Sequence, residues 1–264
     1  MPEIDPQVLA AFALFAAVGF IAQIVDGALG MAYGVISTTV LLAFGVPPAA
    51  ASASVHAAEV FTTGASGISH ISHKNVDWKA LALLAPAGIV GGVTGAFLLT
   101  SISGDFIRPF IIVYLGLLGV FILVRAFRAF KPAPIKIWLT PPLGLAGGFL
   151  DAVGGGGWGP TVTANLIGSG GAPRQVIGTV NTAEFFVTVA ISAAFVFALV
   201  TGHWQDAGDI TDHIPAVAGL VFGGVIAAPL AGLVVKVAPP KALTVAVGLL
   251  VVGLSVWQGW QIWS

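Results

Sequence analysis

Apolar residues run through this chain in long stretches that short polar segments interrupt. Stretches of about 20 such residues are typical of α-helices that cross a hydrocarbon core about 30 Å thick. Eight segments can be delimited, four in each half: 8–44, 48–70, 79–100, 106–130, 137–168, 173–201, 213–235 and 241–262. The pattern therefore predicts an all-α polytopic membrane protein.

The opening segment of each half is too long for one ordinary span. Glycines interrupt both near the middle, in Asp26-Gly-Ala-Leu-Gly30 and in Asp151-Ala-Val-Gly-Gly-Gly-Gly157. We predict that each is a broken or re-entrant helical hairpin, that the two breaks approach each other, and that neither hairpin crosses the membrane completely. The other three segments of each half are expected to be full transmembrane helices.

The two halves are related by an internal repeat with an offset of 125 residues. Between 26 and 63, 12 of 38 positions are identical to their counterparts, and these include Asp26 with Asp151 and Glu59 with Glu184. Internal repeats are common in secondary transporters, whose binding sites lie where the repeats meet. We divide the chain into a first repeat, 1–130, and a second repeat, 131–264.

The composition supports a membrane location. The chain is 57% hydrophobic and 8% charged, with a mean hydropathy of +1.01, whereas soluble domains carry about 25% charged residues. The chain has no cysteine, and its acidic start at Met1–Asp5 argues against a cleaved signal peptide. Its net charge of −1 does not suggest a nucleic-acid partner. The lipid bilayer is the expected partner, and assembly with further copies of the chain is left open.

Charge placement suggests the orientation of the repeats. The link 125–136 holds four basic residues and no acid. The loop between the second and third segments contains Lys74 and Lys79 in half one, whereas the equivalent loop of half two contains Asp206, Asp209 and Asp212. Because basic loops stay in the cytoplasm, the link and the Lys74 loop are predicted inside and the Asp209 loop outside. This favours two inverted repeats. Parallel repeats, with both arms of each hairpin spanning, are the alternative.

Four acids fall within the apolar segments: Asp26, Glu59, Asp151 and Glu184. An ionised carboxylate at the bilayer centre costs roughly 2.5–3.5 kcal/mol, so these residues are candidates for function. Asp26 and Asp151 lie beside the helix breaks, where an aspartate can cap a helix start. Glu59 and Glu184 lie within helices and are the candidates for proton coupling. Structural hydrogen bonding is the alternative for all four.

Residues around the breaks suggest an anion site. A helix that restarts after a break presents unpaired N–H groups and a positive dipole end, which together bind anions without Lys or Arg. Close helix packing is the other explanation for the glycines. The candidate substrate-binding residues here are Gly30, Tyr33, Gly34, Ser37, Thr38, Gly155, Gly156, Trp158, Gly159, Thr161, Thr163 and Asn165.

Further polar residues lie on the helices that carry the two glutamates. His56 is three residues before Glu59, and its counterpart Asn181 is three residues before Glu184. Residues three apart share a helix face, so His56 could relay protons or bond a neighbouring helix. Ser54 and Thr179 could line a polar path or bond their own helix backbone.

At these residues the chain resembles the TauE/SafE family of membrane permeases, also called the sulfite exporter family. The likeness lies in the twofold set of four segments, the glycine-rich opening segments and the helices that hold Ser52–Glu59 and Gly178–Glu184. Half one departs from the fuller glycine run of half two. The resemblance implies transport of sulfur-containing anions across a bacterial cytoplasmic (inner) membrane.

The leading hypothesis is therefore a secondary transporter for sulfite or an organosulfonate, with proton coupling as an additional hypothesis. A cation or metal-ion transporter that uses the four carboxylates as ligands is the alternative. Gly64-Ala-Ser-Gly67 matches a motif of intramembrane serine proteases, but the later histidines lie at an aqueous edge, which leaves this alternative remote. We expect no catalytic residues, no cofactor and no resident metal.

Overall fold

A computed structural model describes residues 5–128, 135–204, 214–237 and 239–264, which are almost entirely helical. Half one forms α1 (Pro6–Leu29), α2 (Tyr33–Ala43), α3 (Pro48–Ser72), α4 (Trp78–Thr100) and α5 (Gly104–Ala126). Half two forms a 3₁₀ turn (Ile137–Leu139), α6 (Thr140–Gly154), a π-helical turn (Gly159–Thr163), α7 (Ala164–Gly168), α8 (Pro173–Val200), α9 (Ile214–Val237) and α10 (Pro240–Trp263). The prediction of an all-α protein with eight helical segments is confirmed for the described residues.

Within the described ranges, five helices are long and apolar enough to cross a membrane: α1, α4, α5, α8 and α10. Four of them were predicted as full spans. The exception is α1, whose apolar stretch Pro6–Gly27 is long enough to cross, so its length does not support the expectation that the first hairpin stops short. Although α3 has 25 residues, it is not among the five, because its polar side chains lower its hydropathy.

Both opening segments fold back towards the end of the molecule at which they begin. In half one, the ring of Phe15 in α1 packs edge-on against Phe44, which follows α2, with 6.1 Å between ring centroids. In half two, Ile135 before α6 lies beside Gly171 after α7. The chain therefore leaves the second hairpin beside the place where it entered, whereas it leaves the first level with Phe15, inside α1.

The halves are interlocked rather than set side by side. The first helix of each half packs along the third segment of the other half, so that α1 contacts α9 and α6 contacts α4. Glycines allow these close approaches. A Cβ on Gly223 of α9 would collide with the α1 backbone at Ala16, and one on Gly148 of α6 would collide with Gly88 of α4.

Equivalent helices of the two halves run antiparallel where they pair. Along α3 and α8, Gly64 faces Phe185, while His56, eight residues earlier, faces Phe195, ten residues later. Along α5 and α10, Gly116 faces Ser255 and the later Gly119 faces the earlier Val252. The closely paired equivalent helices therefore point in opposite directions.

One end of the molecule collects most of the basic residues. Arg174 at the start of α8 donates to Asn75 Oδ1 at 2.6 Å, and Lys241 lies 4.5 Å from the centre of the Phe127 ring. We call this the basic end; its described members are Lys74, Lys79, Arg125, Arg128, Lys136, Arg174 and Lys241. Arg108, at the start of α5, lies at the opposite end. Lys131, Asp206, Asp209 and Asp212 lie outside the described residues.

Candidate functional site

The two helix breaks have the same backbone geometry. Gly30 ends α1 with φ of +66°, and Gly155 ends α6 with φ of +65°. Each donates its N–H to the carbonyl of the aspartate four residues earlier, at 2.5 Å to Asp26 and 2.6 Å to Asp151. Residues with a side chain rarely adopt this left-handed backbone conformation. Glycine at these two positions therefore allows the helices to end there.

The two aspartates accept hydrogen bonds from the backbone that restarts after each break. Asp26 Oδ1 accepts from the N–H groups of Ala32 at 2.7 Å and Tyr33 at 3.2 Å. Asp151 Oδ1 accepts from the N–H of Trp158 at 3.0 Å. Several N–H groups expected to be unpaired therefore already have a carboxylate partner, and the breaks are less positive than the sequence suggested.

The prediction that the two breaks approach each other is confirmed. A Cβ on Gly34 would lie 2.8 Å from Gly156 Cα, and a Cβ on Gly159 would collide with the backbone of Met31. Thr38 Oγ1 also donates a hydrogen bond to the carbonyl of Gly155. Because these contacts involve backbone on both sides, the two breaks form one continuous structure.

The four acids line the same space between the breaks. Asp26, Glu59, Asp151 and Glu184 surround a cavity of about 10 Å³, with room for about one water molecule. Its remaining walls include Tyr33, Gly34, Gly156 and Gly159. Glu59 and Asp151 are 3% and 1% exposed, whereas Asp26 and Glu184 are partly exposed. We refer to this space as the acid cavity.

Glu59 lies at the centre of this arrangement without full hydrogen bonding. A Cβ on Gly34 would be 2.9 Å from Glu59 Oε1, so the glycine makes room for the carboxyl group. Glu59 Oε2 is buried and has no hydrogen-bond partner among the described residues. Buried polar atoms without partners are rare and costly, which marks this oxygen as one that a proton, water or ligand would satisfy.

His56 contacts Asp151 of the other repeat rather than Glu59 on its own helix. Its Nδ1 lies 2.7 Å from the carbonyl oxygen of Ser52, and its Nε2 lies 3.2 Å from Asp151 Oδ2. A carbonyl oxygen only accepts, so Nδ1 carries a hydrogen. The bond from Nε2 to the carboxylate then requires a second proton, on either His56 or Asp151. This buried contact therefore joins the two repeats through one side-chain hydrogen bond.

The counterpart of His56 makes different contacts. Asn181 Nδ2 donates to Ser66 Oγ at 3.1 Å, and Asn181 Oδ1 is buried with no hydrogen-bond partner in the part of the chain that the structure describes. Both residues line a second small space next to the acid cavity, together with Thr62 and Thr63. Ser66 is the serine of the protease-like motif. Its hydrogen-bond partner is the side-chain amide of Asn181, which cannot serve as a general base.

The other predicted residues have different surroundings. Tyr33 lines the acid cavity, and its hydroxyl donates to Leu220 O at 3.0 Å. Trp158 is fully buried but does not line the cavity, and its indole N–H donates to Val180 O at 3.3 Å. Ser37 and Thr163 are buried near the breaks without side-chain partners in the described part of the chain. The predicted binding residues that line the acid cavity are Tyr33, Gly34, Gly156 and Gly159, whereas Ser54, Thr161, Asn165 and Thr179 face other parts of the molecule.

Sequence reasoning missed several residues that line the two small spaces. Thr62 and Thr63 follow Glu59 by three and four positions, so their place on the same helix face was available as a signal. Met31 lines the acid cavity, but its counterpart in the repeat is Gly156, so the repeat did not mark it. Ser66 was noticed only for its protease-like motif.

The comparisons with known proteins agree with this architecture. The family model for the sulfite exporter TauE/SafE matches residues 15–257. A curated relative from Bacillus subtilis (strain 168), the "Probable membrane transporter protein YtnM", is 45% identical over 242 residues, which are 89% of this chain and 78% of the relative. No solved structure matches the chain.

Proposed function

The chain belongs to the TauE/SafE family of membrane transporters, and from this premise we propose that it carries a small sulfur-containing oxyanion, sulfite or an organosulfonate, in a proton-coupled manner. The observation that carries the proposal is that acids from both repeats line one small cavity between two touching helix breaks. A site at a repeat interface, formed by discontinuous helices, is typical of secondary transporters.

Protonation decides how the acid cavity treats an anion. Ionised carboxylates repel an oxyanion, whereas protonated carboxyl groups can donate O–H hydrogen bonds to it. The N–H groups of Gly34 and Val35, at the start of α2, have no acceptor among the described residues and add donors at a positive helix end. Anion binding and proton binding are therefore linked, and by reciprocity each strengthens the other.

We further propose that the repeats are inverted and that the basic end faces the cytoplasm of a bacterium. The antiparallel pairing of α3 with α8 and of α5 with α10 supports this arrangement. The concentration of described basic side chains at one end supports the orientation, because loops rich in Lys and Arg remain inside. Labelling of an introduced cysteine at Lys74 from outside intact cells would contradict it.

The test is anion flux in proteoliposomes under an imposed pH gradient. The purified protein is reconstituted, and uptake of ³⁵S-labelled sulfite and of an organosulfonate is measured with and without the gradient. Glu59→Gln with Glu184→Gln should abolish the gradient dependence while preserving the fold, because glutamine resembles a protonated glutamate in shape. Asp105→Asn, at the start of α5, is the control for loss of an acid elsewhere.

Each result has a distinct meaning. Gradient-driven flux in the parent and Asp105→Asn proteins, with gradient-independent flux in the double glutamine variant, supports the proposal. Full gradient dependence in the double variant would remove the coupling role of the two glutamates. Absence of anion flux in the parent protein would remove the anion substrate itself.

A cation substrate is the second candidate, and one observation favours it. Ligand atoms of His56, Glu59 and Asp151 lie within 4.8 Å of one another, and imidazole with carboxylates suits transition-metal ions. Uptake of ⁵⁴Mn²⁺ or ⁶⁵Zn²⁺ in the same vesicles separates the two candidates. Metal uptake that His56→Gln abolishes, without anion flux in the parent, would select the cation carrier.

A further inference from the structure

A larger cavity lies at the basic end, between α5, α7 and α10. Its volume is about 280 Å³, many times that of the acid cavity. Two basic side chains line it, Arg125 from the last turn of α5 and Lys241 from the first turn of α10, and its described lining residues include no acid. The cavity therefore has a positive lining, and its volume exceeds that needed for a small ion.

Local packing holds the two cations in this cavity. Arg125 Nη2 donates to the carbonyl of Ala164 in α7, and its guanidinium lies over Gly168, where a Cβ would be 2.5 Å from Nη1. Lys241 Nζ lies 4.5 Å from the centre of the Phe127 ring. Arg125 lies beside the C-terminal end of α7, and Lys241 lies over the ring of Phe127. Both are favourable electrostatic surroundings for a cation.

Met31 connects this cavity to the acid cavity. It is the one residue that lines both spaces among those described, and it belongs to the break between α1 and α2. Its backbone rests against Gly159 of the second break. A small change at this contact would alter the wall between the two spaces.

We propose that the cavity at the basic end is a binding site for the transported oxyanion, held by Arg125 and Lys241, and that Met31 forms the barrier to the acid cavity. The inference rests on the proposed function for the identity of its ligand. Positive cavities with apolar walls concentrate anions and raise their rate of entry. An anionic lipid headgroup has similar chemistry, so its contribution must be separated experimentally.

The first test compares the substrate dependence of flux. Lys241→Gln should raise KM for sulfite roughly tenfold, with kcat nearly unchanged, since one charge pair at close range in a partly buried site is worth at least this factor. Arg125→Gln should act in the same direction, and Arg125→Lys should restore part of the loss. Arg128→Gln, a charge at the same end that does not line the cavity, is the matched control.

The vesicle composition distinguishes substrate from lipid. In vesicles of phosphatidylcholine alone, the KM effect of Lys241→Gln should persist. An effect seen only when phosphatidylglycerol is present would assign the cavity to a headgroup and overturn the proposal. An unchanged KM in both Lys241→Gln and Arg125→Gln would overturn it as well.

The second test does not depend on transport. The chain has no cysteine, so Met31→Cys introduces a single thiol for labelling by a methanethiosulfonate reagent. Sulfate or an organosulfonate should slow labelling several-fold, and Lys241→Gln in the same background should remove this protection; sulfite itself is avoided because it cleaves the reagent. Protection without anion flux in the parent would retain the site and reject the proposed transport. Flux without protection would reject the site.

Discussion

The two helix breaks share a backbone but differ in their chemistry. Gly30 and Gly155 have nearly the same φ, and Asp26 and Asp151 both accept N–H bonds from the residues that follow. Only Asp151, however, also meets a histidine. The repeat has thus preserved the geometry twice and placed a histidine contact at one of the two positions.

A second difference concerns the hydroxyls after each break. Thr38 bonds the carbonyl of Gly155, whereas its counterpart Thr163 is buried without a partner among the described residues. In half one a regular α-helix follows the break, and in half two a π-helical turn precedes α7. Equivalent residues therefore do not have equivalent roles, and paired substitutions can separate what each break contributes.

The largest effect is expected from filling the contact between the breaks. Gly156→Ala would place a Cβ against the backbone of Gly34 and Val35, which cannot move independently of α2. Destabilisation of at least about 2 kcal/mol is expected from such overpacking. Thermal unfolding of the purified protein in detergent measures it. Gly253→Ala, where a Cβ meets nothing within 4 Å, is the control and should remain near the parent.

An intermediate effect is expected at the histidine and aspartate that contact each other across the repeats. His56→Gln removes the histidine partner of the buried Asp151 carboxylate and should cost about 3 kcal/mol. A double-mutant cycle with Asp151→Asn should give a coupling energy of about 1–3 kcal/mol. The corresponding cycle of Asn181→Ala with Asp26→Asn should be additive, since no direct hydrogen bond joins those residues. Equal coupling in both cycles would mean that the halves do not differ here.

The smallest effect is expected from the two threonines. Thr38→Val leaves the Gly155 carbonyl without its donor and should cost about 1–2 kcal/mol. Thr163→Val replaces a hydroxyl that has no partner with a methyl group of similar size, so it should be neutral or slightly stabilising. Unfolding midpoints of both variants in the same detergent provide the measurement. A larger loss for Thr163→Val than for Thr38→Val would reverse the comparison.

Much of the fold could be predicted from the sequence, because helices that cross a lipid bilayer must be long and apolar. Apolar runs set the positions of the eight segments, and the glycines next to Asp26 and Asp151 marked where the helices break. Individual contacts were less accessible. The sequence pairs His56 with Glu59 by helical spacing, whereas the folded chain turns His56 towards Asp151, which depends on how α3 packs against α6.

The depth of the first hairpin was also beyond the sequence pattern. Asp26 and Asp151 are equivalent, but α1 has 24 residues before its break and α6 has 15. The repeat fixes where the helices end, whereas their starts depend on the capping by Asp5 in one case and on a 3₁₀ turn in the other. Met31 was missed for a similar reason. It lines the acid cavity only because the two helix breaks, which are far apart in the sequence, are in contact.

The exchange of packing partners between the halves has a consequence for biosynthesis. When α1 leaves the ribosome, α9, the helix that covers it, has not yet been translated, and α4 likewise inserts before α6. The glycine-lined surfaces of the first repeat must therefore face lipid or the insertion machinery until the second repeat arrives. Because such long-range contacts form late, final assembly requires nearly the whole chain, and a polypeptide that stops after α5 lacks the partners that cover its first and fourth helices.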